Sequence, residues 1–237
     1  MEDKVGRETL EIIASADNFN KWMFETILPH SHGKILEIGS GIGNISSQFL
    51  QQNFSLMLSD LRTEYCTELE NRFKKFSNFL GVEKIDLIDP EFDTKFRELF
   101  ETFNTVFALN VVEHIEDDEL AIKNCRKLLK SKGTLIILVP SYQNLYNNLD
   151  KELGHYRRYT IEKLEKLFLK NNLNILHCQY FNATGMLGWY FSGKILKKKS
   201  IPKGQMFLYN KLVPIFRILD RGISNRIGLS TIVVGRK

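Results

Sequence analysis

Lys34-Ile35-Leu36-Glu37-Ile38-Gly39-Ser40-Gly41-Ile42-Gly43-Asn44-Ile45 is the stretch on which the fold turns. An apolar, β-branched run drives into three glycines at alternate positions, and a helix-compatible segment follows. A strand that ends in glycines lets a ligand reach the backbone without meeting a Cβ. A helix starting there offers unpaired N–H groups. The stretch therefore predicts a site for a nucleotide-like ligand. Two well-known templates do not fit it. The dinucleotide fingerprint needs G-x-G-x-x-G, but its third position is Asn44 and the extra glycine comes early, at Gly43. The phosphate-binding P-loop fails because no Gly-Lys-Ser/Thr follows.

Outward from this stretch, apolar runs alternate with segments of helical period. The spacing predicts leading helices over 8–28, a strand over 34–38, a helix over 43–52 and a second strand over 54–59. A helix over 63–75, a strand over 79–87, a short helix over 91–100 and a strand over 105–109 come next. Then follow a helix over 116–130 and a strand over 134–139 closed by Pro140. Thr160 is a predicted N-cap for a helix over 161–170. The last strands are predicted over 173–180 and 229–234. This alternation implies an α/β, Rossmann-like fold: a seven-stranded, mostly parallel sheet with helices on both faces and an antiparallel last strand. One domain over 1–237 is expected, with an N-terminal helical segment over 1–30 and a helical, basic insertion over 183–227 before the last strand. Ligands of such sheets sit at the carboxyl ends of the strands. Gly39, Asp60, Asp86, Asn110 and Pro140 all fall there. Asp60 closes the second strand about 20 residues past Gly39, where an acid accepts both ribose hydroxyls.

The Glu37, Gly39, Gly41 and Gly43 pattern resembles motif I of the class I S-adenosylmethionine (SAM) dependent methyltransferases, an acidic residue followed by G-x-G-x-G. The resemblance implies SAM as cofactor and S-adenosylhomocysteine as product. It also implies cofactor contacts from Glu37, Gly39, Ser40, Gly41, Gly43 and Asn44, from Asp60-Leu61, from Asp86-Leu87 near the adenine, and from Asn110 under the methionine part. Asn110-Val-Val-Glu113-His114 matches the V-x-E-H segment of small-molecule members. Related enzymes that hold a divalent ion use E-x-x-E-H; Asn110 replaces the first Glu, so no metal is expected. The segment also lacks the Pro-Pro-aromatic run of enzymes acting on base amino groups, so no nucleic-acid partner is expected. Together with Leu153-Gly-His-Tyr-Arg-Arg-Tyr-Thr160 and Tyr180-Phe-Asn-Ala-Thr-Gly-Met-Leu-Gly-Trp189, the chain is similar to a bacterial and archaeal subgroup (methyltransferase type 11/12-like) associated with polysaccharide or lipid-linked glycan assembly.

For methyl transfer to oxygen the candidate bases are His155 and His114, with Tyr156 orienting the acceptor. Tyr146, Arg157, Arg158 and Tyr159 are candidate acceptor contacts, and the arginine pair suits an anionic group. The expected activity is SAM-dependent O-methylation of a small-molecule, glycan or lipid-linked acceptor. A catalytically silent SAM-binding module and a nicotinamide or nucleotide-sugar enzyme on a related sheet remain as alternatives.

Charge is unevenly spread. From Lys194 to the end the chain carries eleven Lys/Arg against Asp220 alone, although the whole chain is only +5. Apolar segments at 185–191 and 207–219 flank Lys197-Lys198-Lys199. This section suits an anionic membrane surface, a lid over the acceptor pocket or a dimer face, and monomer and homodimer both stay open. Cys66, Cys125 and Cys178 show neither metal nor redox spacing and read as scattered core thiols. The charged Met1-Glu2-Asp3-Lys4 start is unlike a signal peptide, and the expected location is cytoplasmic, with peripheral contact on the inner face of the membrane as an option.

Overall fold

A computed structural model of the chain describes residues 4–198, 200, 202–223 and 225–237. Its centre is one seven-stranded sheet in the order β3-β2-β1-β4-β5-β7-β6. The strands are β1 Ile35–Ile38, β2 Leu56–Ser59, β3 Phe79–Glu83, β4 Phe103–Leu109, β5 Leu129–Pro140, β6 Asn174–Phe181 and β7 Ser230–Arg236. The pairs among β1 to β5 are parallel. β7 runs antiparallel to both β5 and β6, as expected for the last strand.

Apolar continuity explains the middle of the sheet. Val106 to Ala108 and Leu135 to Val139 are buried without interruption because helices cover both faces. Alternate residues supply two apolar layers. Leu36, Val106, Leu135 and Ile137 pack with Ala121 and Cys125 of α6 (Asp118–Leu128) and with Leu164 and Phe168 of α8 (Ile161–Lys170). On the other face, Ile35, Phe107, Ile136 and Leu138 meet Trp22 and Phe24 of α2 (Asp17–Ile27) and Phe49 of α3 (Ser46–Gln51). The three cysteines are unpaired, with Cys125 buried in the first of these layers.

Local boundaries follow local chemistry. α8 begins where the Thr160 hydroxyl accepts the Lys163 N–H at 3.3 Å. α6 begins later than the periodicity suggests, because the Asp117 carboxylate accepts the Leu120 N–H at 2.9 Å and caps the helix there. β3 stops at Glu83 rather than 87, since its neighbour β2 ends at Ser59, the partner of Glu83. Asp86 and Leu87 therefore lie in the loop beyond the strand. α3 starts at Ser46, leaving Gly41 to Ile45 as turns. α1 spans Lys4–Ala14, α4 spans Thr63–Phe73, α5 spans Phe92–Lys95 and α7 spans Asn148–Glu152.

The insertion before β7 consists of α9 (Ala183–Tyr190), a π-helical turn (Phe191–Ile195) and α10 (Lys203–Gly222). Pro214 inside α10 has no N–H to give to the carbonyl of Asn210. That carbonyl instead accepts Asn18 Nδ2 at 3.1 Å, while Asn210 Oδ1 accepts the Phe19 N–H at 3.0 Å. The backbone bond missing at Pro214 thus becomes a clamp onto α2. At the far end, buried Asp220 accepts the N–H groups of Asn182 at 2.6 Å and Ala183 at 3.1 Å, tying α10 to the start of α9. Lys199 of the lysine run and Met1 to Asp3 lie outside the described residues. No described helix is long and apolar enough to cross a membrane.

Candidate functional site

Crossovers leave β1 and β4 toward opposite sides of the sheet, which opens a crevice past their carboxyl ends. A cavity of about 710 Å³ occupies this position. α1, α9 and α10 lend it residues such as Leu10, Gly188 and Met206, so the insertion forms part of its roof.

The glycine loop forms the floor. Gly39 has φ +70°, and a Cβ there would sit 2.4 Å from Val111 Cγ2. Gly39, Ser40, Gly41 and Asn44 line the cavity, but Gly43 does not. At φ +81°, Gly43 lies where a Cβ would come within 2.5 Å of the Phe73 ring, so its place is close packing of the loop on α4. Glu37 is buried on the wall and accepts the Ser46 hydroxyl at 2.5 Å. Burial pushes its carboxyl up to about 8 despite that bond. Asp60 accepts the Gly41 N–H at 3.0 Å and the Arg62 N–H at 2.9 Å, which locks β2 to the loop. Burial raises its pKa as well, against those bonds. Leu61, Asp86 and Leu87 complete this end of the wall, and Asp86 also accepts the Ile88 N–H at 2.9 Å. Asn110 holds the left-handed backbone at φ 55° as β4 ends and lines the cavity too.

The other end is built around His155. Its Nδ1 lies 2.8 Å from Asp150 Oδ1, and its Nε2 lies 3.9 Å from Glu113 Oε1. The His114 ring meets the His155 ring edge-on at 4.6 Å. Glu113 is fully buried and neither carboxylate oxygen has a hydrogen-bond partner. Its pKa is pushed up to about 7 by burial, with His155 and Arg158 pulling the other way. Asp150 is also buried, but bonds from His155 and Arg158 outweigh that burial and hold it below the usual carboxylate range. Thr9 Oγ1, Asn20 Oδ1 and Trp189 Nε1 are likewise buried without partners, in residues that line the same cavity. These groups are available to a bound acceptor.

The structure separates the remaining predicted residues. Tyr156 is exposed and on the wall. Arg158 reaches the wall, but its Nε donates to Asp150 at 2.8 Å and its NH1 to the Ser141 carbonyl at 3.0 Å. Its guanidinium stacks 4.8 Å from the Trp189 ring centre. Tyr146, Arg157 and Tyr159 are not on the wall. The Tyr146 hydroxyl donates to the His155 carbonyl at 2.7 Å. Arg157 pairs with Asp118 at 2.9 Å, and the buried Tyr159 hydroxyl donates to the same carboxylate at 2.7 Å. An arginine fork for an anionic acceptor is therefore not formed. Asp150, the partner that orders His155 and Arg158, was not anticipated; its only sequence signal is a position one helical turn before the His155 loop.

Glu113, His114 and His155 each offer a ligand atom, all within 4.8 Å of one another. The chain segment at 110–114 by itself has too few donors for a metal, and the fold adds a third. The same three groups also form a cluster of proton-exchanging side chains, in which the Asp150 contact orients His155.

A Rossmann-like sheet with a glycine loop, a strand-end acid and a cavity at the switch point defines a nucleotide-ligand enzyme of the class I SAM-dependent methyltransferase type. Residues 16–178 match the methyltransferase-domain family, more than half of the chain, and the chain belongs to that family. It is 30% identical over 158 residues to polyketide synthase 42 of Dictyostelium discoideum; the match covers 58% of this chain and 6% of that much longer protein. Its fold is similar to a SAM-dependent methyltransferase from Archaeoglobus fulgidus (TM-score 0.58, 14% identity, 92% of this chain and 94% of that one). It is also similar to phosphoethanolamine N-methyltransferase 2 of Haemonchus contortus with bound SAM (TM-score 0.61, 17% identity, 91% and 52%). The cofactor is SAM. The cavity suits it chemically: three carboxylates, Glu37, Asp60 and Asp86, face the same space as the apolar side chains of Leu61, Leu87 and Ile88.

Proposed function

We propose that the chain methylates an oxygen of a small-molecule, glycan or lipid-linked acceptor, with His155 as general base. One observation carries this reading: a cavity-wall imidazole whose Nδ1 is held at 2.8 Å by a buried carboxylate, with Nε2 3.9 Å from the cavity-lining Glu113. Bound SAM supplies an electrophilic methyl carbon and leaves as a neutral thioether. Glu37, Ser40 and Asp60 bind and orient the cofactor, with Asp60 on the ribose hydroxyls. Asp150 keeps the Nδ1–H tautomer of His155, so that Nε2 accepts the acceptor hydroxyl proton as the oxygen attacks. Tyr156 lies at the wall beside it and orients the acceptor. α9 and α10 roof the cavity and exclude water. In-line transfer depends chiefly on holding the reacting atoms about 3–3.5 Å apart.

Glu113 favours a second reading. An unpartnered buried carboxylate on the wall suits a cationic amine, which places nitrogen acceptors next. A labelled-methyl assay on lipid-linked and polar extracts identifies the acceptor, and alkali lability of the product separates esters from ethers and amines. Loss of transfer in His155→Ala with SAM affinity intact is the expected result. Full turnover in that variant removes His155 as the base.

A further inference from the structure

A surface helix normally turns an apolar stripe inward and a polar face outward. α10 does not. Met206, Val213 and Asp220 point inward at seven-residue spacing and are buried. The outward arc carries Phe207, Leu208, Ile215, Ile218 and Leu219, exposed by 52% to 70%. α9 and its π turn add Leu187, exposed by 78%, with Tyr190, Phe191 and Ile195. Twelve of the 18 exposed large apolar side chains among the described residues fall between 187 and 227. So large a cluster requires a covering partner.

Charge selects the partner. Among the described residues of 191–227 the single carboxylate is Asp220, which is buried against α9. Lys194, Lys197, Lys198, Lys203, Lys211, Arg221 and Arg226 are all exposed. Lys194 and Lys211 place their ammonium groups 5.3 and 4.4 Å from the ring centres of Tyr190 and Phe207, so cations and apolar groups share one surface. A second copy fits poorly, because a two-fold interface sets each patch against itself and faces these cations with one another. Apolar side chains interspersed with lysines match the boundary of an anionic bilayer, where the rings enter the acyl region and the cations meet lipid phosphates.

We propose that the outer face of α9 and α10 docks on an anionic membrane surface. The inner face of the same helices roofs the cavity through Gly188, Trp189, Ser192 and Met206. Docking would therefore hold the cavity roof at the lipid boundary, within reach of a membrane-anchored acceptor. That last point rests on the lipid-linked reading above; the docking itself does not.

The test is co-sedimentation of the full chain with phosphatidylcholine vesicles and with vesicles containing phosphatidylglycerol, alongside SAM calorimetry on the same preparation. Binding to the anionic vesicles alone is expected. Replacing Lys197, Lys198 and Lys211 by Gln should weaken it by roughly fivefold per cation. Ile218→Ser with Leu219→Ser should weaken it further, with SAM affinity and thermal midpoint unchanged in both variants. None of these residues lines the cavity, so vesicle binding and SAM binding fail independently. No association with either vesicle by a SAM-competent protein overturns the proposal. So does concentration-dependent dimerisation that the Ile218 and Leu219 substitutions abolish, which would assign the face to a second copy.

Discussion

Replacing Asp150 by Asn preserves shape and removes one charge, and its consequences follow from the contacts. The carboxylate accepts His155 Nδ1 at 2.8 Å, Arg158 Nε at 2.8 Å and the Asn147 N–H at 2.9 Å, all in a buried setting. A hydrogen bond to a charged partner contributes about 1.5–3 kcal/mol. Leaving a buried cation without its counter-ion costs about 3–5 kcal/mol. Arg158 is 2% exposed, so the larger figure governs, and Asp150→Asn should lose about 3–5 kcal/mol in urea unfolding. Domains of ordinary stability, about 5–15 kcal/mol, survive such a loss at room temperature. Coupling is measurable as well. Asp150→Asn combined with Arg158→Met should cost less than the sum of the two single changes, because the stranded charge is gone. His155 Nδ1 and Arg158 Nε share Oδ1 while the Asn147 N–H holds Oδ2, so the amide NH2 opposes a donor in either orientation. Turned toward His155 it loses the Arg158 bond, offers N–H to Nδ1 and favours the tautomer with its proton on Nε2. Imidazole nitrogen NMR should report that switch. Turnover should then fall by roughly 10²- to 10⁴-fold, the usual worth of a positioned base, while SAM affinity stays as in the parent because Asp150 is not on the cavity wall. A stability loss under about 1 kcal/mol with an unchanged tautomer would refute the reasoning.

Four further expectations are as direct. If Asp60 holds the ribose as proposed, Asp60→Ala should weaken SAM binding by roughly 10- to 100-fold in calorimetry, since it also removes the carboxylate that accepts the Gly41 N–H. Gly43→Ala should cost about 2–4 kcal/mol of stability, from a left-handed backbone and a clash with Phe73, and leave SAM affinity nearly intact in whatever fraction folds. Burial raises Glu37 to about 8 and Glu113 to about 7, so the folded ligand-free protein holds protons that the unfolded chain has released. Its stability should therefore fall as pH rises from about 4.5 to 8 and level off above, and Glu113→Gln should flatten the part below 7 in thermal melts. Exhaustive chelation should leave methyl transfer unchanged; a loss restored by added Mn²⁺ or Zn²⁺ would make Glu113, His114 and His155 a metal centre instead of a proton site.

Much of the fold was legible in the chain because burial on both faces leaves a one-dimensional trace. The runs at 106–109 and 135–139 have no polar interruption that a half-solvated strand would show, 35–38 carries Glu37 alone, and the glycines and Asp60 stand at strand ends whatever the packing. The cofactor end of the site is local in this sense: its residues directly follow β1, β2 and β4. What the tertiary structure decided is non-local. Arg157 and Arg158 are adjacent in sequence, yet one pairs with Asp118 on the surface side and the other is drawn inward to Asp150. Tyr159 looks like a loop residue and is core, because the chain returns to the carboxyl end of β5, where it bridges Ser141. Glu113 and His155 lie far apart in the chain and meet only through the loop after β5. The unpaired oxygens and raised pKa of Glu113 arise from desolvation, which depends on what surrounds a group in space and leaves no mark in the residues beside it. Likewise the basic, apolar stretch near the end declared its composition at once. Which of its faces roofs the cavity and which turns outward was set by Asn18 on the carbonyl freed by Pro214 and by Asp220 on α9.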